Sequence, residues 1–253
     1  MIRPKTVLEH PYRVRFDEAG ADGALRSSGY LRWAQDMAWR HSDSAGLGRE
    51  WYGEHQLTWL IRAVELDIVQ AASYGSEVVV STEVLGFRRV LARRRSQFHS
   101  REGGRLLATA LIDWVLVNAS GRPTRVPAPI QDLLPAGEAF TPLRVELPGP
   151  PGDASSRDMG ARHGEIDPMG HVNNAAYLDY VDEQLIRAGH EATVRRLPRR
   201  YRAEFARPAE RGMSLRAQAW RDGDDWCFRL SDDGPRDLFR ARLEVAQAEW
   251  VGG

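Results

Sequence analysis

The stretch EIDPMGHVNNAAYLDYVDE, residues 165–183, sets an Asp-Pro-Met-Gly turn, a histidine and two asparagines directly ahead of an apolar stripe at helical spacing. A related order occurs once earlier in the chain. Setting Tyr30 and Leu31 on Tyr177 and Leu178 also pairs Gly23 with Gly170, Trp33 with Tyr180 and Asp36 with Glu183, which marks a duplicated unit. Tyr30, Leu31, Ala34, Met37, Ala38 and His41 recur at i, i+3/i+4 and i+7/i+8. Tyr177, Tyr180, Val181, Gln184 and Leu185 form a comparable stripe, so each copy predicts one amphipathic helix. Ser27 or Ser28 is the candidate cap of the first helix; Asn173 and Asn174 are those of the second, which is expected to begin near Asn174.

A run of strands follows each helix. TWLIRAVELDIV, EVVVSTEVLGF, VLARRRSQFHS and LLATALIDWVLVN in the first half are rich in β-branched and aromatic residues and are separated by glycine-containing breaks. RRYRAEFARP, MSLRAQAW, WCFRLS and LFRARLEVAQAEW follow in the same order in the second half. Eight of the fourteen prolines fall between Pro123 and Pro151, where fixed φ angles and missing donors keep regular structure short, so this segment reads as a linker. The predicted organisation is therefore a domain over 1–125, a Pro-rich linker over 126–152 and a second domain over 153–253. A single striped helix beside four or five antiparallel strands buries itself when the sheet curls around it. The expected fold is α+β: two tandem hot-dog domains, each a curled antiparallel sheet around one central helix.

Bulk properties exclude several functions. Thirty-five basic residues balance thirty-five acidic ones, so no net field favours nucleic acid or an anionic membrane. The opening MIRPKTVLEHPYRV lacks the apolar core of a leader, and no stretch approaches the roughly 18 apolar residues of a membrane helix, so the reading is cytoplasmic. The lone cysteine, Cys227, forms neither an intrachain disulfide nor a thiolate cluster and reads as structural. No nucleophile elbow, phosphate loop or zinc-helix pattern is present, so no metal or other cofactor is expected.

The 165–183 stretch carries its own chemistry. Attack on an acyl carbonyl needs a group that delivers or becomes the nucleophile, donors for the developing oxyanion, and a group that departs. Asp167 is the candidate acid, His171 the group beside the carbonyl, and Asn173 the residue that fixes them. Gly170 permits close backbone approach, and the N–H groups of a helix starting near Asn174 face developing negative charge. The same residues also make an ordinary type I turn and helix cap. What separates the two readings is the repeat: the first copy places Gly20 opposite Asp167, Ala24 opposite His171 and Arg26 opposite Asn173, so scaffold needs alone do not call for these groups.

Asp-Pro-Met-Gly-His-Val-Asn-Asn-Ala-Ala-Tyr, residues 167–177, resembles the signature of hot-dog thioesterases, and its position in the second of two fused repeats is similar to the fatty acyl-ACP thioesterases of bacteria and plants. GALRSSGYLRWAQDMAWRHSDSAGLG and ATALIDWVLVNASGRPTRVP resemble the helix and closing strand of that family's first repeat. The resemblance implies hydrolysis of fatty acyl-ACP to fatty acid and holo-ACP, with one active site, in the second half. It also implies a chain-measuring pocket in the silent first half, for which Trp33, Met37 and Trp59 are the candidates. Plant-type members carry an asparagine where this chain has Met169, and a Glu-Cys pair where it has Pro208 and Ala209. A route through Asp167 and water is then preferred over a cysteine nucleophile, with Glu204 as an assisting group. The arginine bunches at 88–95 and 195–202 offer Arg93, Arg95, Arg199 and Arg200 for docking an acidic acyl carrier protein, or the phosphates of coenzyme A. An acyl-CoA thioesterase of the same fold and a non-hydrolytic acyl-binding protein are the alternatives, and a fused pair suits either a monomer or a homodimer.

Overall fold

The computed structural model describes residues 6–134, 137–234 and 236–245. The first half runs β1 (Val7–Arg13), α1 (Ser27–Ser44), α2 (Arg49–Glu54), β2 (Leu57–Ile68), β3 (Glu77–Arg88), β4 (Leu91–Ser100) and β5 (Leu106–Asn118). After α3 (Ala128–Leu133) the second half repeats the order with β6 (Ser155–Gly160), α4 (Ala176–Arg187), α5 (Glu191–Arg195), β7 (Arg199–Phe205), β8 (Ser214–Asp222), β9 (Asp225–Ser231) and β10 (Asp237–Val245). The predicted strand through Trp250 is seen to Val245; its last five residues lie outside the described ones.

All pairings are antiparallel and join into one ten-stranded sheet, ordered β1-β3-β4-β5-β2-β7-β10-β9-β8-β6. That order is a palindrome of two hot-dog units, joined where β2 pairs with β7 from Ala63↔Glu204 to Ile68↔Arg199. Alternation explains the burial: β4 reads half-buried then buried through eight residues, with Ala92, Arg94, Ser96 and Phe98 facing inward. The stripes of α1 and α4 are buried as predicted, and one continuous core holds Tyr30 and Phe98 of the first half with Tyr177 and Phe239 of the second.

Two expectations about caps are corrected. Ser27 and Ser28 are the first residues inside α1, whose N-cap is Arg26 with no side-chain cap. The Ser27 hydroxyl is instead within 3.1 Å of Asp182 and 2.9 Å of the Tyr201 hydroxyl, in a buried polar joint between the halves. Tyr201 donates to the same carboxylate at 2.7 Å, and burial pushes Asp182 up to about 6. In the second copy Asn173 Oδ1 accepts from the Ala175 N–H at 2.9 Å, and a turn at 174–175 leads into α4 at Ala176.

The proline-rich segment is strapped to the sheet. The Leu143 N–H donates to Asp113 at 2.7 Å and the Val145 N–H to Glu204 at 3.0 Å. Glu138 N–H bonds the Leu85 carbonyl at 2.9 Å, over Gly86, where an added Cβ would fall 2.0 Å from the Glu138 oxygen. The strap's course thus requires glycine at a bulge of β3.

Candidate active site

The turn ahead of α4 is held at both ends. Ile166 bridges Val172, the Asp167 N–H donates to the His171 carbonyl at 2.8 Å, and the Gly170 N–H closes on the Asp167 carbonyl at 2.9 Å. Gly170 sits at φ +83°, which a side chain resists. Asp167 Oδ1 accepts from the Met169 N–H at 2.9 Å. Asn173 donates its N–H to the Glu165 carbonyl at 2.8 Å, and Glu165 is itself fixed by the Arg162 N–H at 2.8 Å and the Tyr180 hydroxyl at 2.5 Å.

The first copy builds the same frame without the chemistry. Ala19 bridges Leu25, the Gly20 N–H bonds the Ala24 carbonyl at 2.8 Å, Gly23 has φ +75°, and the Arg26 N–H bonds the Glu18 carbonyl at 3.1 Å. Gly170→Ala and Gly23→Ala are therefore expected to cost the same stability, about 1–2 kcal/mol each, because no neighbour lies within 4 Å of either added Cβ and only the backbone is strained. Only Gly170→Ala is expected to lose activity. Urea denaturation beside an activity assay checks the pair.

Asp167, His171, Asn174 and Tyr177 open on a cleft of about 720 Å³. Its other wall comes from the first half, through Leu60, Leu91, Val115 and Val117, and from Pro142, Leu143 and Arg144 of the strap. Asn173 stands behind this surface and fixes the entry to α4, as its hydrogen bonds indicate. Among the described residues no cluster of His, Cys, Asp and Glu is arranged to hold a metal.

Several sequence candidates have other duties. Glu204 lines the cleft but is buried with both oxygens engaged, one by Arg62 at 2.6 Å and one by the Val145 N–H, so it is a strut of the strap. Arg93 is clamped to buried Asp113 by two bonds of 2.7 and 2.8 Å, and Arg199 reaches the Ser27 hydroxyl at 3.4 Å in the joint between halves. Arg200 pairs with Asp67, and Arg95 with Glu83 at 2.6 Å. These four are not loose surface cations. Three arginines line the cleft: Arg62 pairs with Glu204 and Arg207 with Asp232, while Arg144 is exposed and has no ion partner among the described residues.

Trp33 and Met37 belong to the core; the Trp33 indole donates to Glu18 at 2.9 Å and stacks on Tyr12. Trp59 lines a separate hollow of about 50 Å³, room for one or two water-sized groups. Arg94 forms part of that hollow, buried, with Nη1 2.7 Å from His41 Nδ1; burial lowers its guanidinium to about 10. The sequence signal for Arg94 was its parity with Phe98 in an alternating strand.

Comparison with known proteins follows the same lines. The family model described as the acyl-ACP thioesterase N-terminal domain matches residues 5–134. The chloroplastic acyl-[acyl-carrier-protein] hydrolase FATB2 of Cuphea viscosissima is 22% identical over 198 residues, 72% of this chain and 48% of that protein. The chain thus spans about half the length of the curated relatives it matches. Among solved structures, an acyl-ACP thioesterase from Bacteroides thetaiotaomicron superposes with a TM-score of 0.82 at 16% identity, covering 96% of this chain and 99% of that one. The 12:0-ACP thioesterase of Umbellularia californica gives 0.78 at 20%, covering 95% and 97%.

Proposed function

This chain belongs to the acyl-ACP thioesterase family, and from that premise we propose that it hydrolyses the thioester of fatty acyl-ACP to a free fatty acid and holo-ACP. Asp167 takes a proton from water, or itself attacks, at the carbonyl carbon. The oxyanion that forms is met by N–H groups at the entry to α4, at Asn174, and by His171. On the base route, collapse breaks the carbon–sulfur bond and the thiolate takes the proton that Asp167 drew from water; on the nucleophilic route the thiolate leaves an acyl anhydride on Asp167, which water then hydrolyses to the fatty acid and the free carboxylate, its proton going to the thiolate. The observation that carries this reading is the asymmetry of the repeat: two turns share one frame, and only the one with Asp167 and His171 opens on the large cleft.

The division of labour is 1–125 for the acyl wall, 126–152 for the strap and 153–253 for catalysis. The chain lies against Leu60, Leu91, Val115 and Val117 rather than against Trp33 or Met37, because those two are closed into the core. Carrier docking falls to Arg144, the arginine of the cleft with no ion partner among the described residues. Arg144→Glu is expected to raise KM for acyl-ACP severalfold and for acyl-CoA by much less, with kcat little changed, since a guanidinium facing an acidic carrier steers encounter more than chemistry. Equal changes for both substrates would remove Arg144 from docking. The test of the function is thiol release from acyl-ACP and acyl-CoA of matched chains; binding with no turnover on any of them would leave an acyl-binding protein instead.

A further inference from the structure

Arg94 is the middle of three consecutive arginines, and strand alternation turns it away from its neighbours. Arg93 and Arg95 meet Asp113 and Glu83, whereas Arg94 points into the first half and is 6% exposed. Its partners are neutral. Nη1 lies 2.7 Å from His41 Nδ1 and 3.4 Å from the Thr82 hydroxyl. Arginine offers only donors, so His41 Nδ1 accepts, and an imidazole that accepts there is uncharged. Among the described residues no carboxylate answers this charge, and Nε and Nη2 have no acceptor. Burial lowers the guanidinium only to about 10, so it stays charged at neutral pH. A buried cation in that state is costly until an anion joins it.

The hollow beside Arg94 supplies a second, independent observation. Trp114 lines the same space, and its indole N–H, shut off from solvent, has no acceptor among the described residues. Two sets of donors therefore border one small space. Val84, Phe87, Ile130 and Leu134 make its walls apolar, and Trp39, 52% exposed, stands where the lining reaches solvent. Trp59 faces this hollow while Thr58 and Leu60 face the cleft, so β2 separates the two.

We propose that the hollow is a binding site for a carboxylate, held by the free donors of Arg94 and by the Trp114 N–H, with an apolar tail leaving past Trp39. Room for one or two water-sized groups matches the two oxygens of a carboxylate, and a planar guanidinium grips such a pair with parallel donors. Two sources share this head group: small organic acids, and free fatty acids of the kind the proposed reaction releases. The site stands apart from the reading of Asp167, because its test reads binding and not turnover.

The experiment titrates the full chain with sodium acetate, sodium octanoate, octanol and sodium chloride and follows the tryptophan indole N–H signals by NMR. The Trp114 signal is assigned by its loss in Trp114→Phe. The expected result is a saturable shift of that signal with carboxylate and none with octanol or chloride at the same concentrations. Tighter binding of acetate identifies a small acid as the source; tighter binding of octanoate identifies a fatty one. Arg94→Met is expected to weaken carboxylate binding about tenfold or more while the other indole signals keep their positions. Arg94→Lys keeps the charge and loses the fork, so its affinity should fall between those two, and it carries the test should the methionine variant fail to fold. Carboxylate affinity unchanged in the Arg94 variants overturns the proposal. So does a Trp114 signal that neither carboxylate moves, or that octanol or chloride moves equally well.

Discussion

Replacing Asp167 with asparagine is expected to lower kcat for thioester hydrolysis by about three orders of magnitude while the protein melts within a few degrees of wild type. Asparagine keeps an oxygen at the Oδ1 position, so the bond from the Met169 N–H that shapes the turn survives. It has no basic oxygen to take a proton from water and no anionic oxygen to attack, and the loss of a positioned base is worth about 10²–10⁴ in rate. His171 and the α4 N-terminus remain, so residual rate measures what they supply alone. Thiol release and a thermal melt on one preparation check the expectation. A variant keeping a tenth of wild-type kcat would move the acid elsewhere in the cleft, and Glu204 would be the next residue to replace.

Asp113→Ala is expected to destabilise the protein by about 3–5 kcal/mol, because it leaves Arg93, a largely buried cation, without its carboxylate. The same change removes the acceptor of the Leu143 N–H and frees the strap that walls the cleft, so KM for the acyl substrate should rise in protein that remains folded. Arg93→Met in the Asp113→Ala background is expected to recover part of the loss, since it removes the stranded charge but does not restore the strap bond. Chemical denaturation of the two singles and the double measures this coupling. Additive losses would mean that the pair contributes no interaction of its own.

The sequence read well where local pattern and global packing agree. The strand predicted over 106–118 is β5 to the residue, because alternating β-branched and aromatic side chains meet a buried face. The duplication was legible from two turns and two stripes, and hydrogen bond by hydrogen bond the frames match. What was hidden depends on partners far along the chain. Ser27 looks like a cap, but Asp182 and Tyr201, more than 150 residues away, claim its hydroxyl. Arginine bunching suggested a surface, whereas Asp113, Asp67 and Glu83 on neighbouring strands take up Arg93, Arg200 and Arg95. Composition shows how many cations a strand carries; only the register shows which carboxylates lie opposite. Tyr177 was read as helix stripe, which it is, and its hydroxyl is tied by a bond from the Ala209 N–H, in the loop after β7.

The junction between β2 and β7 has a kinetic consequence. The three-strand meanders β3-β4-β5 and β8-β9-β10 close between sequence neighbours, but Ala63 must find Glu204 across 141 positions, so the junction bears the largest loop-closure entropy in the sheet and forms late. Until then each half presents an open edge whose geometry suits a neighbouring molecule as well as its own chain, the route by which swapped oligomers arise. The strap works against that outcome. It binds one carboxylate from each half, Asp113 and Glu204, and so raises the effective concentration of the correct edge over any stranger's. A connector that wraps the wall of a cleft in the finished protein is, during folding, the device that keeps the chain from pairing with its copies.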